Sequence, residues 1–213
     1  MMKRHFVTWA LISMFVSAPA WAIPTLDQYQ EQEGGAISAK STTSQTWIGQ
    51  TFTAGLSGVL DRVDIGNTFG MALLPAVAPI VQIRNIEGDQ PGSTVLGSVT
   101  GQGYVPTNGW AIFDFASENI LVTAGEMYAI VIKPSTSSGN VSMGLNPDPA
   151  SYTNGAVWEY YSNSWQPYHN DGDIQFHTYV ETGTAPTVPV PGAFLLASLG
   201  TGCMAWLRRA RRM

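Results

Sequence analysis

Cysteine is almost missing: Cys203 is the only one in 213 residues. No disulfide can form within the chain and no Cys-x-x-Cys redox or metal motif exists, so stability must come from packing. Histidines number three, His5, His169 and His177. No His-Glu-x-x-His, Gly-x-Ser-x-Gly or lysine-bearing phosphate loop is present, which removes the common metalloprotease, serine-hydrolase and nucleotide-binding signatures. Positive charge is scarce and displaced to the ends. Of ten Lys and Arg residues, Lys3, Arg4, Arg208, Arg209, Arg211 and Arg212 flank the chain, leaving only Lys40, Arg62, Arg84 and Lys133 between. All fifteen acids lie from Asp27 to Glu181, so the middle carries four positive against fifteen negative charges, or −11, where the whole chain carries −5. Phosphate binding needs clustered cations, so nucleic acid is not an expected partner. Sustained helical amphipathicity and long internal repeats are also lacking, which argues against bundles, solenoids and propellers.

The two ends have their own logic. Met1 to His5 is a positive stretch, Phe6 to Ala18 is mainly apolar, and Ala20-Trp21-Ala22 has the small-x-small form of a signal-peptidase site. Residues 1–22 are therefore expected to be a secretory signal peptide cut after Ala22, with an uncleaved anchor as the alternative. At the other end, Gly192 to Leu207 is a run of sixteen residues without a charge. As a helix it would reach about 24 Å, short for a hydrocarbon core of ~30 Å, unless Arg208 and Arg209 snorkel to the interface. Arg208, Arg209, Arg211 and Arg212 place the C-terminus on the cytoplasmic side and the body outside. Cys203 falls inside this run and is read as a small apolar residue.

The body, 23–180, reads as one all-β domain, expected to be a single antiparallel β-sandwich of jelly-roll-like build. Runs rich in β-branched and aromatic residues are Trp47–Phe52, Val59–Ile65, Ile80–Ile86, Thr94–Thr100, Trp110–Phe115, Met127–Ile132, Val141–Leu145, Val157–Tyr161 and Ile174–Tyr179. Gly, Pro, Asn, Asp and Ser separate them. Alternation puts Phe113 and Phe115 on one face and Ile112 and Asp114 on the other. Glu87-Gly-Asp-Gln-Pro-Gly92, Asn154-Gly155 and Ser162-Asn163-Ser164 read as turns. Met71 to Pro79 is an apolar connection, expected to cross the sandwich buried, the alternative being an exposed sticky patch. Residues 181–187 form a polar linker to the tail at 188–213.

Two features of the body could carry function. Tyr152, Trp158, Tyr160, Tyr161, Trp165 and Tyr168 fall within seventeen residues. On a strand, Trp158 and Tyr160 share a face opposite Val157, Glu159 and Tyr161, so they are the candidate ligand-binding pair for a sugar ring. The competing role is core packing and cross-strand pairing, with Trp165 the expected core member. Asp171 and Asp173 are candidate oxygen ligands for a structural Ca²⁺, although Asn170-Asp171-Gly172-Asp173 also fits an ordinary turn. His169 and His177 are expected to be solvated or packed rather than a metal pair. No catalytic residue is assigned, because none of the fifteen acids stands in a recognisable catalytic context. A carboxylate pair for glycoside hydrolysis stays open, which keeps a secreted carbohydrate-active enzyme or accessory module as the alternative function.

Val188-Pro189-Val190-Pro191-Gly192, followed by the apolar run and the Arg cluster, resembles the PEP-CTERM sorting signal of Gram-negative bacteria. Val190 stands where that signal has its Glu, so this is a Val-Pro-x-Pro variant. The resemblance implies an inner-membrane tethered precursor, handled by signal peptidase and an exosortase-type sorting enzyme. That enzyme would pass it to the cell surface or the exopolysaccharide matrix. The body has a resemblance of its own. Gln50-Thr-Phe-Thr-Ala54, Val81-Gln-Ile-Arg84, Gln90-Pro-Gly92, Thr94-Val-Leu-Gly-Ser98 and Leu121 to Ile130 are similar to stretches of bacterial "choice-of-anchor" surface domains. Asn163-Ser-Trp165 and Asp173-Ile-Gln-Phe176 continue the match. It implies a non-catalytic, jelly-roll-like surface module with a structural or glycan-binding role.

Overall fold

Nine stretches with strong β-pattern and no helical period leave sheet formation as the only way to satisfy the backbone, and the computed structural model is all-β. It describes residues 23–32, 34–41, 45–67, 77–101, 109–137, 139–148, 152–168 and 172–183. The signal peptide, most of the Met71–Pro79 connection, Asp171, the linker beyond Gly183 and the whole sorting tail lie outside these. Among the described residues no helix is long and apolar enough to cross a membrane.

The strands are β1 (Thr25–Gln30), β2 (Gly35–Ser41), β3 (Gln45–Thr53), β4 (Gly58–Asn67), β5 (Pro79–Glu87), β6 (Gln90–Thr100) and β7 (Gly109–Asp114). They continue with β8 (Leu121–Val122), β9 (Met127–Pro134), β10 (Asn140–Asn146), β11 (Val157–Tyr161), β12 (Ser164–Pro167), β13 (Asp173–Ile174) and β14 (Phe176–Glu181). One antiparallel sheet runs β1-β14-β4-β7, with β8 also on β4. The larger runs β13-β10-β2-β3-β9-β5-β6, and the β11–β12 hairpin pairs onto β3. All the described strands belong to one unit within Ala22–Gly183.

Alternation decides which side of each strand is dry. Ile48, Phe52, Ile83, Ile130 and Ile132 from the larger sheet join Leu60, Val63, Ile65, Phe113, Phe176 and Val180 from the smaller in one buried cluster. Phe176 ties the two, its ring 6.3 Å from Phe52 and 5.2 Å edge-on from Tyr152. Full burial of each such ring is worth roughly 2–3 kcal/mol. Phe113 and Phe115 are buried and Ile112 is 62% exposed, as the sequence pattern requires.

Every run expected to be a strand coincides with strand, except that Phe115 falls just past β7 and Ile174–Tyr179 is divided at Gln175. β13 pairs with β10 in the larger sheet, while β14 pairs with β1 and β4 in the smaller. Gln175 is the crossing point, its N–H donating to Gly144 O at 3.0 Å. Buried Gln50 holds the same corner. Its amide donates to Asp173 Oδ1 at 2.9 Å and accepts from the Ile174 N–H at 3.0 Å. The turn at Ser162 and Asn163 has positive φ at both residues, 52° and 65°, which is the type I′ geometry that suits a two-residue hairpin. Gly155 is needed for a different reason: a Cβ there would overlap the Thr51 carbonyl of β3, so only glycine lets this loop lie against the strand.

Candidate functional site

The side of the larger sheet facing away from the core carries the cluster that can meet a ligand. On β3, Ile48, Gln50 and Phe52 point inward, so Trp47, Gly49 and Thr51 point out. The pairing of β11 with β3 sets Tyr160 opposite Trp47 and Trp158 opposite Gly49. The hairpin then sets Trp165 opposite Tyr160. The result is a cross-strand row: Trp47 and Tyr160 stack at 4.6 Å and 16°, and Tyr160 meets Trp165 edge-on at 5.2 Å. All three are half-buried, leaving part of each ring open to solvent.

Gly49 makes room for this row. A Cβ there would lie 2.8 Å from Pro91 Cγ and 3.1 Å from Trp165 Cζ3, so the Trp165 ring rests over bare backbone. Trp165, expected in the core, is therefore on the outer face and not in the core cluster. Its polar hairpin neighbours Ser164 and Gln166 are exposed, and the short β12 is an edge strand with no sheet beyond it among the described residues. Tyr152 is in the core cluster instead, and Tyr168 packs against that cluster. Trp158 and Tyr160 do share one face of β11, as expected. Trp158 is half-buried, and its indole N–H has no hydrogen-bond partner among the described residues.

Two cations border the row. Lys133 Nζ lies 5.0 Å, and Arg84 Cζ 5.4 Å, from the centre of the Trp47 ring, within cation–π range. Arg84 is 8% exposed. Its Nε and Nη2 donate to Gln82 Oε1 at 3.1 and 2.6 Å, and Nη1 donates to Gly92 O at 3.3 Å. Among the described residues neither cation has a carboxylate within 4.0 Å. Burial lowers the Arg84 pKa, partly offset by Tyr160. The Lys133 pKa is lowered by burial first and then by the charge of Arg84. Burial is the first cause of both shifts, and only Lys133 also feels the charge of the other cation.

The smaller sheet has a different outer face. His177 Nε2 is 2.8 Å from Glu31 Oε1 and its Nδ1 is 3.7 Å from Asp64 Oδ2. Trp110 stacks on the imidazole at 3.9 Å, and Arg62 lies 3.1 Å from Asp64 and 3.8 Å over the Tyr179 ring. The Arg62–Asp64 contact is an ion pair without hydrogen-bond alignment, since Nε and Oδ1 find no hydrogen-bond partner. The set places an imidazole between two carboxylates.

Asp173 is buried with Oδ1 turned to Gln50, and Asp171 lies outside the described residues. Ca²⁺ takes about 6–8 oxygen ligands, and among the described residues no group of three or more His, Cys, Asp or Glu is placed to hold a metal.

Trp47, Gln82, Arg84 and Lys133 were not legible as site residues, because they come from three strands spread over eighty-seven positions of chain. The usable signal was scarcity: with four cations between the two ends, the partner of each one is informative. The chain matches no protein-family profile, no curated protein and no solved structure.

Proposed function

We propose that this is an exported bacterial surface protein whose body is a non-catalytic, jelly-roll-like β-sandwich that binds glycan. Its outer binding face is the Trp47–Tyr160–Trp165 row of the larger sheet. Export and sorting rest on the sequence ends: the signal peptide cut after Ala22, and the Val188–Gly192 motif, apolar run and Arg cluster recognised by an exosortase-type enzyme. The product then resides at the cell surface or in the exopolysaccharide matrix of a Gram-negative bacterium. A single observation carries the binding half. Three aromatic side chains stand in a row on the outward side of a sheet whose other side already supplies the core. Aromatic faces and edges next to polar groups hold sugar rings through C–H contacts and hydrogen bonds.

Retention on immobilised polysaccharides tests this. The parent protein should be retained on at least one polysaccharide, and Trp165→Ala should lose retention while melting within a few degrees of it, because Trp165 is outside the core cluster. Loss of retention only together with unfolding would assign the row to packing. Mass spectrometry of the surface-borne protein tests sorting: peptides should stop near Pro191, and a product retaining Trp206 would instead be a plain single-span membrane protein.

The second reading, a carbohydrate-active hydrolase, rests on His177 between Glu31 and Asp64. Release of sugar product that disappears in Glu31→Gln would establish it in place of the first.

A further inference from the structure

The aromatic row does not say which glycan it takes, because any sugar presents C–H groups to a ring. The two cations beside it do. The body of the chain has only four, and one of them, Arg62, sits against Asp64 at 3.1 Å. Lys40 stands exposed on β2. Arg84 and Lys133 come from neighbouring strands, β5 and β9, and meet at a single ring, that of Trp47. With fifteen acids available on the same stretch of chain, pairing each of them with a carboxylate would be easy, and among the described residues neither is paired.

Packing alone does not account for this arrangement. Contact with the Trp47 face is favourable for a cation, by about 0.5–1 kcal/mol at an exposed site. It leaves the charge itself uncompensated, and it does not explain why two cations converge. A buried guanidinium also has five N–H donors, of which three are used toward Gln82 and Gly92. Lys133 is half-buried and is the cation a ligand can reach. Arg84, beneath it and fixed by Gln82, adds field in a partly desolvated place where charge counts for more than in water.

Resting on the glycan reading of this face, we propose that the glycan is anionic. Its sugar ring lies along the Trp47–Tyr160–Trp165 row and its carboxylate or sulfate meets Lys133 in the field of Arg84. The strongly acidic remainder of the body sets a condition. A polyanion is repelled elsewhere on the surface, but at ~0.15 M salt the screening length is about 8 Å, so acids on the far sheet are screened while a contact at Lys133 is not. The site then reads local charge within a hostile average field, which excludes polyanions that offer no ring to the aromatic row.

The test uses the protein made from the complete sequence, purified in detergent and held in calcium-free buffer at 0.15 M salt. Affinity is measured for polygalacturonate, for its fully methyl-esterified form, for dextran sulfate and for an oligo(dT) strand. The ester keeps the sugar and removes the charge. Polygalacturonate should bind at least roughly tenfold tighter than the ester, the difference expected for one charge-assisted hydrogen bond. Lys133→Gln should abolish that difference, and Lys133→Arg should keep most of it. Binding of dextran sulfate with no binding of polygalacturonate supports the proposal with sulfate as the anion. Equal affinity for acid and ester overturns the anionic ligand and leaves the glycan reading standing. No binding of any polysaccharide overturns both. Equal affinity for oligo(dT) and polygalacturonate overturns the proposal in favour of a non-selective anion surface. Should Lys133→Gln fail to fold, the comparison of acid with ester on the parent protein still decides.

Discussion

Replacing Gly49 with alanine tests the seat of the aromatic row directly. The added methyl carbon would stand 2.8 Å from Pro91 Cγ, 3.1 Å from Trp165 Cζ3 and 3.3 Å from Trp165 Cη2. Ordinary carbon contacts lie at about 3.5–4.0 Å, so the neighbours must retreat by roughly 0.5–1 Å. Pro91 is buried in β6, paired with Ile86, and has little freedom. Trp165 is on β12, which among the described residues pairs only with β11, so it moves more easily. Overpacking costs about 1–3 kcal/mol, and alanine in a strand returns up to ~1 kcal/mol relative to glycine. The net expectation is a loss of about 1 kcal/mol, or roughly 2–4 °C in Tm for a domain of this size. Affinity for polysaccharide should fall further than stability does, because the residue that yields is an aromatic of the proposed binding row. Thermal unfolding and polysaccharide binding, measured on the same preparation, read the two effects. Unchanged values for both would refute the placement of Trp165 over Gly49. A loss beyond about 4 kcal/mol would show that the methyl meets a rigid core instead of a movable ring.

Other perturbations probe the frame around the site. Gln50→Leu strips the Ile174 N–H of its acceptor and removes the amide donated to Asp173 at the corner where the chain changes sheets. With ~1–3 kcal/mol for an orphaned buried N–H, urea denaturation should show a loss of roughly 2–3 kcal/mol; under 1 kcal/mol would mean that the corner is wet. Asp27 Oδ1 accepts from the Gly55 N–H at 2.9 Å, and burial, outweighing the hydrogen bonds the carboxylate receives, raises its pKa above the ordinary 3.8. A raised carboxylate pKa penalises the fold as pH climbs from the ordinary value through the raised one. Asp27→Asn should therefore gain stability relative to the parent on going from pH 3 to pH 7, and the opposite slope in paired melting curves would refute that. EDTA should leave Tm unchanged, because Asp173 Oδ1 is bonded to the Gln50 amide; a drop of several degrees that added Ca²⁺ reverses would establish a structural ion.

Much of the fold was legible because apolar alternation is a local signal. Ile48, Phe52, Ile83, Ile130 and Phe113 announce a dry face by their own spacing, and all are in the core. The strands that were missed lack that signal. β1, Thr-Leu-Asp-Gln-Tyr-Gln, and β2, Gly-Ala-Ile-Ser-Ala-Lys-Ser, are built from polar and small residues, and they become strands only because β14 and β10 offer them edges. Trp165 shows the complementary failure. An aromatic in a strand is usually core, but whether Trp165 turns in or out depends on the register of a hairpin and on a glycine more than a hundred positions earlier.

The sequence by itself determined the all-β character, eight of the nine expected strands, the shared face of Trp158 and Tyr160, and the −11 balance of the body. Each of these follows from composition or from a period of two residues, and needs no knowledge of what lies across space. Only the tertiary structure decided that Ile174–Tyr179 splits between two sheets at Gln175, and that Asp173 turns inward to Gln50. It also decided that Trp47, Arg84, Lys133, Tyr160 and Trp165 meet on one face. Strand pairing joins residues without regard to their separation in the chain, so the site is a property of register, and register is written in no single stretch of sequence.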